Sequence, residues 1–218
     1  AVYVKEVNGI RIAILNYTYG TNGIPLPSDM PFAVNLLDKA RVAADVEKAK
    51  ESAEFIIVCP HWGTEYIHSI SDYQREWAEY FASLGVNLVL GTHPHVIEPV
   101  EWIGQENGNG GTLVYYSIGN FINATNENGS GVGDRMLGAL AEVTIQRNPD
   151  GLVTITDYGV LPTVTHLKTG SGQITTYKLR DYTEELALEN EILNQDSGFS
   201  YQYCVELCRE VFGALYTE

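Results

Sequence analysis

The chain has 218 residues, of which 44% are hydrophobic, and its net charge at pH 7 is −15. This composition supports one substantial core, so a single domain spanning residues 1–218 is predicted. The acidic surface disfavours contact with nucleic acids and anionic membranes, and no apolar run reaches the roughly 18 residues of a transmembrane helix.

The chain opens at Ala1 in a segment typical of a strand, with no initiator methionine and no signal peptide. A processed or truncated product is therefore expected. The three cysteines are Cys59, Cys204 and Cys208. An odd, sparse set argues against a disulfide scaffold. Cys59 lies in an apolar run and is predicted to be a core residue.

The first elements alternate between strands and helices. Asn8-Gly9 between two apolar segments predicts a β-hairpin. Residues 19–31 contain two Gly and three Pro and predict a loop. Residues 38–53 predict a helix on propensity, and residues 55–59 predict a strand.

The next unit repeats this order. Ser71 and Gln74 fit a capping box that begins a helix, and Gly85 favours its end. The apolar residues 86–90 then predict a strand. Strand–helix–strand units predict an α/β core with parallel strands, in which ligands gather at the carboxyl ends of the strands.

After residue 97 the pattern favours antiparallel structure. Further strands are predicted at 97–103, 113–118, 137–145 and 152–160, turns at 104–111 and 126–133, and helices at 183–195 and 200–215. The glycine-rich residues 129–133 lack the spacing and the lysine of a phosphate-binding P-loop.

Three histidines follow apolar runs, namely His61, His93 and His95. In an extended segment the side chains at 93 and 95 would project to one side, and Pro94 disfavours helical backbone at His93. If the two strands are close in the sheet, the three imidazoles converge on one divalent ion such as Mn, Zn or Fe. The alternative for His61 is a hydrogen bond to a loop backbone.

Other polar residues near these histidines are candidates for the same site. Glu65 could ligate a metal, orient a histidine or act as a base, and the alternative is a solvated loop residue. His95 is a second catalytic candidate beside its role as a ligand. Asn120 could contact substrate or form a turn, and Trp62 is predicted to contact substrate.

Three further residues receive weaker assignments. His68 ends no apolar run and is expected at the surface. Glu98 lies just past the histidine pair and is a candidate for orienting a ligand. His166 stands alone in a polar strand, where a structural role is expected.

These motifs together resemble the bacterial capsule-synthesis, poly-γ-glutamate type (CapA-like) family, which is similar to the calcineurin-like metallophosphoesterases. The resemblance covers residues 1 to about 160. It rests on four stretches, Asn8-Gly9-Ile10-Arg11-Ile12-Ala13, His61-Trp62-Gly63-Thr64-Glu65-Tyr66, Gly91-Thr92-His93-Pro94-His95-Val96 and Tyr116-Ser117-Ile118-Gly119-Asn120-Phe121.

The resemblance implies a four-layer α/β/β/α sandwich with a site at one edge. It implies that His61 and His93 share one ion and that His95 serves a neighbouring ion. The family's early motifs, an aspartate-containing Gly-Asp stretch, an Asn-Leu-Glu-like stretch and an Asn-Asn-His stretch, are not found in this sequence. The chain therefore resembles the C-terminal portion of such a domain, and it is expected to hold metal weakly or not at all by itself.

Three functional hypotheses follow. The first is a metal-dependent, phosphoesterase-like hydrolase acting on an anionic polymer or phosphoester in capsule synthesis, together with other capsule-synthesis proteins. The resemblance implies a location at the bacterial cell surface, with membrane association through a segment outside this chain. The second is a non-catalytic accessory or binding domain. The third is a structural α/β domain, in which the imidazoles would lie more than about 10 Å apart, too far for shared ligation.

Overall fold

The computed structural model describes residues 2–104 and 111–217. The strands are β1 (Tyr3–Val7), β2 (Ile10–Thr18), β3 (Phe55–His61), β4 (Leu88–Leu90), β5 (Val100–Ile103), β6 (Thr112–Tyr115), β7 (Leu137–Arg147), β8 (Val153–Lys168) and β9 (Gln173–Lys178). The α-helices are α1 (Lys39–Lys50), α2 (Asp72–Ser83), α3 (Glu184–Glu189) and α4 (Tyr201–Phe212). No helix within these ranges is long and apolar enough to cross a membrane. The predicted turn at 104–111 lies almost wholly outside the described residues.

Local signals place the first elements. Asn8 and Gly9 have φ of 50° and 78°, the left-handed pair of a tight hairpin turn, and β1 pairs antiparallel with β2. The side chain of Asp38 caps α1 by accepting from the backbone N–H of Arg41. The predicted capping box is present at the start of α2, where Ser71 and Gln74 cap each other.

The larger sheet has six strands in the order β1-β2-β3-β4-β6-β5. Strands β2, β3, β4 and β6 are parallel, and β1 and β5 pair antiparallel at the edges. The prediction of antiparallel structure after residue 97 is confirmed for the β5–β6 pair and for β7, β8 and β9, and it is wrong for the pairing of β6 with β4. All four residues of β6 are buried, as expected for an interior parallel strand covered on both faces.

Two cores enclose this sheet. One packs α1 and α2 on one face through Val42, Val46, Trp77 and Phe81. The other joins the opposite face to the three-stranded antiparallel sheet β7-β8-β9 and to residues of α4. The molecule is an α/β sandwich of two sheets with flanking helices, which confirms the predicted fold class.

The C-terminal region differs in detail from its prediction. The helix predicted at 183–195 is divided into α3 and a 3-10 turn (Glu191–Asn194), because the extended backbone of Asn190 interrupts it. Strand β9 was not predicted. Its residues are mostly exposed and polar, so they carry no hydrophobic alternation.

Gly91 lies where β3, β4 and β6 come closest. Its N–H donates to Tyr115 O at 2.7 Å. A Cβ at this position would lie 2.0 Å from Tyr116 O and 2.5 Å from the indole nitrogen of Trp62. The same indole donates to Tyr116 O at 2.9 Å. Only glycine permits this approach, which sets the spacing of the strand ends.

We expect Gly91→Ala to lower the free energy of unfolding by about 3 kcal/mol or more, because the added methyl group meets backbone that cannot retreat. Urea unfolding measures the change. Gly159→Ala is the matched control inside β8, since no atom lies within 4 Å of its added Cβ. Equal losses in the two variants would contradict the close-approach argument.

Candidate metal centre

The loops after β3 and β4 are joined by backbone hydrogen bonds. His61 and Thr92 form a parallel bridge, Trp62 N–H donates to Thr92 O at 2.9 Å, and Thr92 N–H donates to Pro60 O at 3.0 Å. The carboxyl ends of β3 and β4 are therefore in register. The ring centroids of His61 and His93 lie 4.5 Å apart as a result.

The segment from His93 to His95 is not extended, which corrects the expected strand-like alternation. His93 and His95 have φ of 107° and 62°, in the left-handed region that non-glycine residues rarely adopt. Tyr66 has φ of 65°, and its N–H donates to Pro94 O at 2.7 Å. Strained backbone of this kind is commonly retained at functional sites.

The side chains of Glu65, His93 and His95 converge. Each offers one ligand atom, and these atoms all lie within 4.8 Å of one another. Glu65 is exposed, His95 is half-buried and His93 is buried. Two imidazole nitrogens and one carboxylate oxygen are suitable donors for a divalent transition metal.

The environment favours neutral imidazoles. Burial lowers the pKa of His61, and the nearby His95 lowers it further against the opposing effect of Glu65. Burial likewise lowers the pKa of His93, with a further decrease from His61. Neutral rings keep the lone pair that a metal ligand needs.

Asn120 orients His95. Its Oδ1 lies 3.0 Å from Nδ1 of His95, and its Nδ2 donates to the carbonyl oxygens of His95 and Arg135 at 3.0 Å and 3.1 Å. Because the amide nitrogen supplies two donors, Oδ1 is the acceptor for a proton on Nδ1. This leaves Nε2 of His95 as the nitrogen that could bind a metal, and both polar atoms of the Asn120 amide are occupied by hydrogen bonds.

Two tyrosines complete the surroundings, and neither was predicted from the sequence to lie at the site. The Tyr19 ring lies 4.7 Å from that of His93, and the Tyr66 ring stacks on His95 at 5.8 Å between centroids. Tyr66 follows Glu65 directly, so its proximity could be inferred from spacing. Tyr19 comes from the end of β2, and only the parallel pairing of β2 with β3 places it here.

Trp62 has no exposed surface and packs between Phe81 and Tyr116 in the core under the site. Its indole N–H is already used by Tyr116 O. This is the position of a core residue, and Trp62 therefore has no part in the substrate contacts proposed below.

His68 was expected at the surface, and the structure places it in a half-buried position with two side-chain hydrogen bonds. Its side chain is 26% exposed, Nδ1 lies 2.8 Å from Ile97 O, and Nε2 lies 3.1 Å from Oδ2 of Asp134. Burial opposes protonation, but these two acceptors together raise the pKa of His68. The sequence pattern around His68 did not predict these contacts, because the two partners are 29 and 66 positions away in sequence.

The separations also test the structural-domain hypothesis. The His93 ring lies 4.5 Å from the ring of His61 and 6.0 Å from that of His95. That hypothesis required more than about 10 Å, so it is wrong. His166 lies elsewhere, buried on β8 against Tyr177 and Tyr182.

The structure thus defines an α/β protein with a histidine- and carboxylate-lined candidate metal centre at the carboxyl ends of parallel strands. A family model described as bacterial capsule synthesis protein PGA_cap matches residues 1–125. This match spans more than half of the chain, and the chain belongs to that family.

Two curated relatives are similar over slightly more than half of the chain. The PGA biosynthesis protein CapA of Bacillus subtilis (strain 168) is 34% identical over 119 residues, which are 54% of this chain and 30% of that protein. The capsule biosynthesis protein CapA of Bacillus anthracis is 28% identical over 127 residues, 56% of this chain and 29% of that protein. The match covers less than a third of each relative.

Solved structures show weaker likeness. A sulfate thiohydrolase SoxB of Thermus thermophilus has a TM-score of 0.41 at 17% identity, covering 73% of this chain and 24% of that one. The NAD nucleotidase NadN of Haemophilus influenzae has a TM-score of 0.39 at 13% identity, covering 81% and 34%. Scores of this size carry no argument about chemistry.

Glu98 is three residues after His95 in the sequence and is fully buried. Its Oε2 accepts from Nε2 of Gln74 at 2.5 Å, while no partner for Oε1 is found among the described residues. Burial raises the pKa of Glu98 to about 8 from its ordinary value of 4.5, against the lowering effect of the Gln74 hydrogen bond. The folded protein therefore keeps a proton that the unfolded chain releases.

From this shift we predict that Glu98 makes the free energy of unfolding fall as pH rises from about 4.5 to about 8. Since one pKa unit corresponds to about 1.4 kcal/mol, the loss is on the order of a few kcal/mol. Glu98→Gln, which imitates the protonated form, should remove it. Urea unfolding of both proteins at pH 5 and pH 8 measures the difference, and parallel pH profiles would contradict the prediction.

Proposed function

We propose that this chain is a divalent-metal-dependent hydrolase domain acting in bacterial capsule synthesis. Membership of the PGA_cap family and the names of the curated relatives support the setting. The observation that carries the chemistry is the convergence of Glu65, His93 and His95 within 4.8 Å.

The donor set fits a divalent ion. Glu65, His93 and His95 would hold it, and His61 lies close enough to His93 to take part. The lowered pKa values of His61 and His93 favour the neutral form that a metal ligand requires. Burial of His93 and the hydrogen bond that the His95 ring donates to Asn120 reduce the freedom of both side chains before any ion arrives.

A divalent ion bound at this centre would polarise a phosphoryl or carbonyl group and raise the acidity of a water molecule. The chain's own residues have defined tasks around it. Asn120 sets the ring orientation of His95, and Glu65 would bring its exposed carboxylate to the ion as the third donor. The left-handed backbone of His93 and His95 presents both rings from one short turn.

The proposed substrate is an anionic polymer or a phosphoester of the bacterial envelope. Other capsule-synthesis proteins are its proposed partners, and the proposed location is the cell surface. With a net charge of −15, the chain needs local positive charge to receive such a substrate, and a divalent ion would supply part of it.

One observation favours a second candidate, a non-catalytic accessory domain. The one carboxylate of the group, Glu65, is exposed, and exposed acidic side chains commonly hold no metal ion. A domain that binds the polymer without hydrolysing it would not need a tightly bound metal ion.

His93→Ala tests the metal proposal. The variant should lose Mn²⁺ affinity by at least about 100-fold, because it removes the buried donor of the group. Isothermal titration measures the affinity, and unfolding midpoints confirm that the variant is folded. His166→Gln, on β8, is the control histidine and should bind as the unsubstituted protein does. Absence of Mn²⁺, Zn²⁺ and Fe²⁺ binding in the unsubstituted protein would favour the accessory domain.

Asn120→Ala tests the orienting role separately. Loss of the hydrogen bond to His95 should weaken Mn²⁺ binding about 10- to 100-fold while all three donors remain. Asn128→Ala, an exposed asparagine in the following segment, should leave the affinity unchanged. If Asn120→Ala bound Mn²⁺ normally, Asn120 would have no part in holding His95.

A further inference from the structure

Arg135 is a buried cation joined to the candidate metal centre. It lies in the 3-10 helix Val132–Met136 before β7, and its side chain is 10% exposed. Its guanidinium carbon is 3.5 Å from the centroid of the Tyr66 ring, which itself stacks on His95. Its carbonyl oxygen accepts from Asn120. Arg135 therefore contacts two residues that touch His95.

The guanidinium is only partly satisfied. One terminal nitrogen donates to Oε2 of Glu127 at 2.7 Å, and the other lies 3.4 Å from the hydroxyl of Thr125. Nε is buried and lacks a partner among the described residues. A carboxylate binds arginine best with both oxygens on two adjacent N–H groups. Glu127 accepts from one guanidinium nitrogen, so an anion that accepts from two of them would pair better with Arg135.

Glu127 is easily replaced as a partner. It lies in the irregular segment 121–130, its side chain is 61% exposed, and Arg135 lowers its pKa by hydrogen bonding and by charge. An ion pair with one exposed partner contributes little net stability, whereas a buried guanidinium without an anion is costly. Arg135 thus requires an anion, and Glu127 is a weakly held one.

We propose that Arg135 binds a carboxylate of the substrate and that Glu127 occupies this position until the substrate displaces it. The inference rests on the proposed function, because it assigns the substrate's anionic group to a place beside the same centre. The internal occupant is a carboxylate, and the stacking of Arg135 on Tyr66 leaves the planar edge of the guanidinium for an equally planar ligand.

A purely structural role for the pair makes a different prediction. If Arg135 and Glu127 only fasten the segment 121–130, removing either one should weaken stability and ligand binding in the same direction. If Glu127 is a competitor, its removal should strengthen binding while removal of Arg135 weakens it. The sign of the Glu127 effect therefore separates the two.

The test uses the purified protein in a metal-free buffer without carboxylates, with a short γ-linked glutamate oligomer as the probe and isothermal titration as the measurement. Arg135→Gln should weaken binding at least tenfold, the loss expected for a charge-assisted hydrogen bond of about 1.5 kcal/mol or more. Glu127→Gln should tighten it about two- to fivefold, which is the value of an exposed ion pair of up to about 1 kcal/mol. Glu189→Gln, a 58% exposed glutamate paired with Lys168, is the matched control and should change nothing.

Several results would overturn the proposal. Weaker or unchanged binding in Glu127→Gln would make the pair structural, and so would the absence of oligomer binding in both the unsubstituted and Glu127→Gln proteins. Inorganic phosphate that binds Arg135 as tightly as the oligomer would contradict a carboxylate site. Mn²⁺ affinity is measured in parallel and should survive Arg135→Gln. Absence of Mn²⁺ binding in the unsubstituted protein would refute the proposed function, and the result of the oligomer titration would still stand.

Discussion

The close approach of three strand ends at Gly91 is the constraint on which the site depends. Glycine alone permits Tyr116 O and the indole of Trp62 to lie where they do. This contact holds β4 beside β6, and the hydrogen bonds between residues 60–62 and Thr92 then hold the loop after β3 beside the loop after β4. Ligand distances tolerate errors of only a few tenths of an ångström, so a metal centre built on loops needs such a rigid base.

Neutral, negative and positive side chains occupy different positions around the candidate metal centre. Imidazoles whose pKa values are lowered by burial line the inside, a single exposed carboxylate, Glu65, completes the group of donors, and Arg135 lies one aromatic ring away. In a chain with a net charge of −15, neutral imidazoles and Arg135 would make this region less negative toward the proposed anionic substrate than the rest of the surface. Metal and arginine would then engage different parts of one substrate.

The predictions that were confirmed rest on short-range chemistry. The Asn8-Gly9 turn and the Ser71 capping box each involve residues within three positions of each other, so both can be predicted from the local sequence. The predictions that were wrong depend on distant partners. The parallel pairing of β6 with β4, the contact of half-buried His68 with Asp134 and the left-handed backbone of His93 and His95 arise from contacts that a local pattern does not contain.

The sequence by itself determined the α/β class, the family resemblance and the residue types of the site, because strand periodicity, caps and the motif around Pro94 are local. Only the tertiary structure decided that Glu65 joins His93 and His95, that Trp62 belongs to the core, and that Arg135 and Glu127 meet beside Tyr66. These outcomes follow from strand order and from the packing of loops between elements far apart in the chain. The stability of such contacts depends on many residues from different segments, so it cannot be inferred from any one segment alone.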